Sequence, residues 1–347
     1  MRIALDATPL TLSSGGQRRH VEDLALALAR EFPHDSVWLA SGENFHPPDG
    51  LHALPHGNSW IDRKWWLFGA SRALKRKAID VFHGTNFEVP YLRTCPSVLS
   101  LLDLSPWMDP AWHTGADRVR SRTPWLIRSN RAQLIVTSTE AVRRQAIEHF
   151  HLAEDRVVAV PLAANSMFRP VPVERGLPYF LFVGTLEPRK NIGMLIDAWR
   201  ELRQSADVEL RIAGRCRSDF TPPAAQPGLR LLGEVPDSAL PGLYSGALAC
   251  VYPSHYEGFG LPVIEAMQCG AMVITSTDPS VMEVGGTAAL LASNVQELVE
   301  AMRAVWQDPE LLRTRREQSL ERARQFSWSR TARLTREVYA EAIRRFH

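Results

Sequence analysis

Two carboxylates, Glu257 and Glu265, sit eight residues apart in the run Ser254-His255-Tyr256-Glu257-Gly258-Phe259-Gly260-Leu261-Pro262-Val263-Ile264-Glu265-Ala266-Met267-Gln268-Cys269-Gly270. The spacing predicts a flexible turn over 258–260 that opens a helix. Leu261 is expected at the N-cap and Pro262 as the first helical residue, where its missing N–H costs nothing, with Gly270 closing the helix in a left-handed conformation. A helix start offers unpaired N–H groups and the positive end of a dipole, so this one suits an anion. A carboxylate is of no use to a phosphate, but it accepts hydrogen bonds from paired hydroxyls. Amides for a diphosphate beside glutamates for sugar hydroxyls describe a nucleotide sugar. An ordinary solvated helix would have to bring turn, proline, both glutamates and closing glycine together by chance.

A second cluster, Gly184-Thr185-Leu186-Glu187-Pro188-Arg189-Lys190-Asn191, reads as a turn between a strand and a helix. Arg189 offers a planar fork and Lys190 a compact charge, both near a helix start, so dipole and cations could hold a diphosphate together.

Both clusters need strands to carry them. At 347 residues the chain suits two domains. Apolar strands alternate with amphipathic helices throughout, the pattern of parallel sheets covered on both faces. The first series comprises Arg2–Asp6, Val37–Leu39, Val81–His83, Val98–Leu102, Leu134–Thr137 and Val157–Val160, with the loop Thr11-Leu12-Ser13-Ser14-Gly15-Gly16 leading into the first helix. Pro161, Pro170, Pro172 and Pro178 then crowd a linker. The second series comprises Tyr179–Val183, Glu209–Ala213, Leu229–Leu232, Leu248–Tyr252 and Met272–Thr275. The expected fold class is α/β, two doubly wound Rossmann-like domains facing an interdomain cleft at the carboxyl ends of their strands.

Composition narrows the class. Apolar content of 45% and charged content of 22% suit a soluble globular chain. No apolar run reaches a membrane span, and the first residues read as a strand rather than a signal peptide, so a cytoplasmic protein is expected. Cys95, Cys216, Cys250 and Cys269 lack ligand spacing, and neither a metal site nor a disulfide frame is expected. A net charge of +2 is too small for a nucleic-acid binder. It is unevenly spread: residues 60–77 hold six basic side chains against one acidic, interleaved with Trp60, Trp65, Trp66, Leu67 and Phe68. This stretch reads either as a patch that leans on anionic lipid or as a helix whose tryptophans are core and whose Lys75-Arg76-Lys77 end matches the helix dipole.

The segments 184–191 and 254–270, with Gly15-Gly16 before the first helix, resemble the retaining GT-B glycosyltransferases of group 1, also called family 4. The resemblance covers nearly the whole chain, including Phe326-Ser327-Trp328 ahead of a last helix that in this family crosses back onto the first domain. It implies an acceptor-side domain over 1–165, completed by 331–347, and a nucleotide-sugar-binding domain over 166–330. It also implies a metal-independent hexosyltransferase acting on a saccharide or lipid-linked saccharide in polysaccharide biosynthesis.

Carried over by position, the resemblance gives Lys190 the donor diphosphate and the charge on the leaving group, with Arg189 assisting. Glu265 would hold the ribose hydroxyls. Glu257 would face the transferred sugar, with Gly258 in the turn and the amides of Phe259, Gly260 and Leu261 fixing its hydroxyls and the phosphate. Gly15 and Gly16 would let the first domain's backbone approach the same phosphates. Val235, in Gly233-Glu234-Val235-Pro236-Asp237, follows a strand end where the family places the base. A GDP sugar is the preferred donor, with UDP and dTDP sugars left open, and no further cofactor is expected.

Two departures stand out. Thr185 occupies the place of a common arginine, which Arg189 could replace from further along the turn. Leu102-Asp103-Leu104 stands where the family reads His-Asp-Leu. An apolar Leu102 would suit a 6-deoxy sugar, whose methyl leaves no polar group unpaired. Alternatively His83 or His113 serves instead. Asp103 would position the acceptor or cap the next turn. Two further readings stay open, a catalytically idle sugar-nucleotide-binding subunit and a peripheral membrane module.

Overall fold

The computed structural model describes every residue except Ser13, Ser14, Asn58, Thr114, Arg175 and His347. The Ser13-Ser14 part of the loop before the first helix therefore lies outside the described residues. The chain divides into two compact units, Met1–Leu162 with Ser327–His347 and Ala163–Phe326. The sequence reading set these limits at 165/166 and 330/331.

The first unit alternates strands and helices: β1 (Arg2–Asp6), α1 (Gly16–Glu31), β2 (Ser36–Ala40), β3 (His52–Ala53), α2 (Ala70–Arg76), β4 (Val81–Gly84) and β5 (Ser97–Ser100). It continues through α3 (Ser105–Met108), α4 (Asp117–Arg128), β6 (Leu134–Thr137), α5 (Glu140–Phe150) and β7 (Val157–Ala159). The strands form one parallel sheet in the order β3-β2-β1-β4-β5-β6-β7. Their interiors are apolar without alternation, as Ile3-Ala4-Leu5 illustrates, because helices bury both faces.

The second unit runs β8 (Tyr179–Val183), α6 (Ile192–Leu202), β9 (Glu209–Ala213), β10 (Leu229–Gly233), α7 (Leu240–Gly246), β11 (Ala249–Tyr252) and α8 (Leu261–Gln268). After these come β12 (Met272–Thr275), α9 (Pro279–Gly285), β13 (Leu290–Leu291), α10 (Val295–Gln307) and α11 (Pro309–Ala323). Its sheet is also parallel, in the order β10-β9-β8-β11-β12-β13. The order reverses between β8 and β11, so the loops leaving these two strands diverge and open a crevice at their carboxyl ends.

The last helix, α12 (Trp328–Arg344), belongs to the first unit, where Ala332, Val338, Tyr339 and Ala342 share a core with Val21, Leu24 and Leu28. Ser327 caps it by accepting from the Arg330 amide.

Three expectations shift. The strand expected over Val98–Leu102 ends at Ser100, releasing Leu101 and Leu102 from the sheet. β3 and β13, of two residues each, are too short to show a periodic pattern. α8 begins at Leu261 with Gly260, not Leu261, at the cap: Gly260 has φ +82°, turns the chain one residue earlier and leaves Pro262 second in the helix. At the other end Gly270 has φ +71°.

Candidate active site

The two clusters meet at the switch point of the second unit. The loop after β8 forms a 3-10 turn, Pro188–Lys190, before α6, and the loop after β11 carries Ser254 to Gly260 into α8. The His255 amide donates to the Arg189 carbonyl at 2.9 Å, which ties the loops together.

Around Glu257 the side chains converge. Lys190 Nζ donates to Glu257 Oε1 at 2.5 Å, and Ser254 Oγ donates to the same oxygen at 2.7 Å. Arg189 Nη1 donates to Glu257 Oε2 at 3.1 Å and to the Tyr256 carbonyl at 2.7 Å, while Nη2 reaches Glu187 Oε1 at 2.8 Å. Arg217 holds the other oxygen of Glu187 at 3.2 Å. The side chains of Arg189, Lys190 and Glu257 are only 10–13% exposed, so these charges interact in a largely dry setting.

The titration follows from this packing. Burial alone would raise the Glu257 carboxyl, but Lys190 and Arg189, with hydrogen bonds from Lys190 and Ser254, hold it at about 2. Lys190 is pulled below the ordinary lysine range by burial and by the Arg189 charge, against the pull of Glu257 and Glu187. Two cations share this carboxylate, and Glu187 sets a second negative charge on Arg189. Asp278 is raised to about 6 by burial, and the Glu257 charge adds to this against hydrogen bonds from backbone amides. Its carboxylate caps α9, accepting from Ser280 and Val281.

The turn at Gly184 and Thr185 is stitched to the chain beyond β9. Gly184 N donates to Ala213 O, Leu186 N to Arg215 O and Arg217 N to Leu186 O. Gly214, with φ +144°, packs so closely that a Cβ there would lie 1.9 Å from the Gly184 carbonyl oxygen. Thr185 is half-buried in this turn. Glu265 lies on the inner face of α8, buried, and accepts from Tyr244 OH at 3.0 Å. Phe259 turns its ring into the core against Phe326, leaving its backbone as the part that can serve a ligand. Val235 is half-buried in the loop after β10, and Asp237 opens a 3-10 turn ahead of α7.

The remaining candidates belong to the first unit. Gly15 caps α1, and Gly16 is its first residue, after the carboxyl end of β1. Leu102 and Asp103 follow β5, two places along the sheet from β1. Leu102 is half-buried, and its carbonyl accepts from Ser138 Oγ. Asp103 Oδ1 accepts from both the amide and the hydroxyl of Ser105, the turn-capping alternative. His83 cannot stand in for a histidine at Leu102: it is buried, with its ring nitrogens on Tyr339 OH and Ser100 Oγ. His113 Nε2 lies 2.7 Å from Ser105 Oγ.

Among the described residues no group of three or more His, Cys, Asp or Glu side chains is arranged to hold a metal ion. A hollow of about 430 Å³ lined by Trp199, Arg200, Arg203 and Gln226 opens at the amino-end edge of the same sheet, opposite the clusters.

The group 1 glycosyl transferase model matches residues 177–308, and the glycosyltransferase family 4 model matches residues 14–166. O-antigen chain mannosyltransferase B of Escherichia coli is 34% identical over 98% of this chain and 99% of its own. The chain belongs to the family 4 glycosyltransferases.

The fold of this family 4 glycosyltransferase is that of solved GT-B structures. Sucrose-phosphate synthase from Thermosynechococcus elongatus superposes with a TM-score of 0.75 at 20% identity, over 98% of each chain. Anabaena HepE in complex with UDP-glucose gives 0.72 at 16% identity, over 98% of this chain and 99% of that one. In the candidate site, Glu187, Arg217, Asp278, Tyr244 and Gly214 were not singled out from the sequence. Only Glu187 lay inside a motif that could have drawn attention to it.

Proposed function

We propose that this glycosyltransferase moves a hexosyl group, mannose first among the candidates, from a nucleoside diphosphate to a saccharide or lipid-linked saccharide. Transfer proceeds with retention at the anomeric carbon and without a metal ion. One observation carries the reading: Lys190 and Arg189 share Glu257 at a sheet switch point, beside the amino end of α8.

In this reading the donor pyrophosphate enters between Lys190 and the start of α8. Lys190 stabilises charge as the bond from the anomeric carbon to the phosphate oxygen breaks, the part a metal ion would otherwise play. Glu257 turns its carboxylate to hydroxyls of the sugar, Glu265 holds the ribose, and the loop at Val235 meets the base. The acceptor hydroxyl attacks on the leaving-group face and its proton passes to the departing phosphate oxygen, so no protein base is required. The parts that the family resemblance implies for Gly15, Gly16, Thr185, Leu102 and Asp103 belong to the same proposal.

The mannosyl choice is supported by the full-length similarity to a mannosyltransferase, whose O-antigen role also favours polysaccharide assembly. GDP-mannose is therefore the first donor to try. The apolar Leu102 supports a second reading, a 6-deoxy donor. HepE was solved with UDP-glucose, which keeps UDP sugars in the panel.

The test is turnover of GDP-mannose, GDP-fucose, UDP-glucose and dTDP-rhamnose, with the product's anomeric configuration read by NMR. Consumption of GDP-mannose with the donor's configuration kept is the expected result. An inverted product would overturn retention, and no donor consumed above buffer would overturn the enzyme reading in favour of an idle binding subunit.

A further inference from the structure

The stretch from Trp60 to Lys77 takes no part in this site, and its tryptophans divide. Trp65 is buried, edge-on to Trp66, whereas Trp60 is 72% exposed. Trp60, Arg63, Lys64 and Leu67 are all exposed, while Asp62, Trp65, Gly69 and Ala70 between and beyond them are buried. The chain thus shows cations and bulky apolar groups on one side and packs on the other.

Two segments distant in sequence extend this face. Tyr91 N donates to Trp66 O at 2.9 Å, and Ser71 Oγ donates to Leu92 O at 3.3 Å. The Tyr91 ring lies 5.5 Å from that of Trp125 on α4. Leu67, Leu92 and Trp125 are 41%, 44% and 46% exposed. Arg122 stands over Tyr91 and Arg131 over Trp125, each at 5.8 Å. Residues 118–131 hold five arginines and no acid, and residues 60–77 six basic groups against Asp62, in a chain of net charge only +2. Of the nearby acids, Glu88 is held by Arg118 at 2.9 Å, the buried Asp62 faces Arg72 at 3.7 Å, and the exposed Asp117 pairs with Arg120 at 3.1 Å.

We infer that this face of the first unit docks on the surface of an anionic phospholipid bilayer. Trp60, Leu67, Leu92 and Trp125 enter the boundary between headgroups and acyl chains, and the surrounding Arg and Lys side chains meet the phosphates. A protein partner fits less well. The core of a protein interface gathers its apolar groups and is depleted of lysine, whereas here single apolar side chains are spaced among exposed cations that include Lys64. Tryptophan with arginine at one level is the composition of a membrane boundary.

The test floats the full chain with vesicles of phosphatidylcholine alone or mixed with phosphatidylglycerol, at low and raised salt. Flotation with the anionic vesicles only, weakened by salt, is expected. At about fivefold per charge, Arg63→Gln with Lys64→Gln should weaken partitioning about 25-fold. Trp60→Ser should weaken it at unchanged salt dependence. Arg200→Gln with Arg230→Gln, exposed arginines of the other unit, should leave it unchanged. Equal binding to neutral vesicles, no flotation at low salt, or an equal loss in the control would overturn the inference. So would a first double variant that keeps vesicle binding but loses binding to soluble polyglutamate, which would assign the face to an acidic protein. Nucleoside diphosphate binding, followed by thermal shift, reports on the donor site separately.

Discussion

Lys190 Nζ and Glu257 Oε1 lie 2.5 Å apart across 67 residues of chain, joining the loops that leave β8 and β11. The pair is a consequence of topology: β8 and β11 are neighbours at the point where the strand order reverses, so the first residues of their loops border one crevice. Arg189 shares the same carboxylate and also holds Glu187, so the two loops are joined by one buried network of alternating charge.

Lys190→Ala should therefore lower kcat by about 10² to 10³ at saturating donor, the size expected when one preorganised charge donor is lost. Glu257 retains Arg189 and Ser254, so the melting temperature should change little. Steady-state kinetics beside thermal unfolding separates the two effects.

Glu257→Ala should unfold more easily, by about 3 kcal/mol in urea titration, because it leaves the buried Lys190 without its carboxylate partner and Arg189 with Glu187 alone. A nucleoside diphosphate supplies negative charge to the same place. The variant should therefore bind GDP or UDP more tightly than the parent, and its melting temperature should rise further at the same ligand concentration.

Gly214→Ala should destabilise by about 2 kcal/mol or more and weaken donor binding, since its Cβ would meet the Gly184 carbonyl at 1.9 Å. Gly193→Ala, in α6 with open space around it, should instead stabilise by about 0.5–1 kcal/mol. Urea unfolding of both variants checks the contrast.

Much of the second unit is legible in the sequence because its strands are continuous apolar runs, as Phe180-Leu181-Phe182 shows, and because the glutamate helix has a motif of its own. What stayed hidden depends on contacts between distant segments. Arg217 reaches Glu187 across 30 residues, and a lone charge in a loop has no period to betray it. Gly214 matters only through the backbone it touches. His83 read as a possible sugar ligand, yet its partners Ser100 and Tyr339 come from β5 and α12 and make it part of the core.

Stability in the first unit should depend on Asp6. Burial raises its carboxyl to about 7, opposed by hydrogen bonds from Thr8 and assisted by the Glu88 charge, and its Oδ2 has no hydrogen-bond partner among the described residues. The folded value lies above the unfolded 3.8, so the native state holds the extra proton. The contribution is complete below about pH 4 and is lost as pH rises to about 7, up to about 4 kcal/mol. Asp6→Asn should flatten that part of the profile. Unfolding free energies of both proteins from pH 4 to 8 test this, and parallel curves would contradict it.

The central claim is that a pyrophosphate binds between Lys190 and the amino end of α8. Calorimetric titration of GDP, UDP and dTDP against their monophosphates, with the parent and Lys190→Ala, addresses it most directly. The account predicts that at least one diphosphate binds about tenfold or more tightly than its monophosphate, and that Lys190→Ala erases the difference. Equal affinities in the parent, or a preference that survives Lys190→Ala, would contradict it.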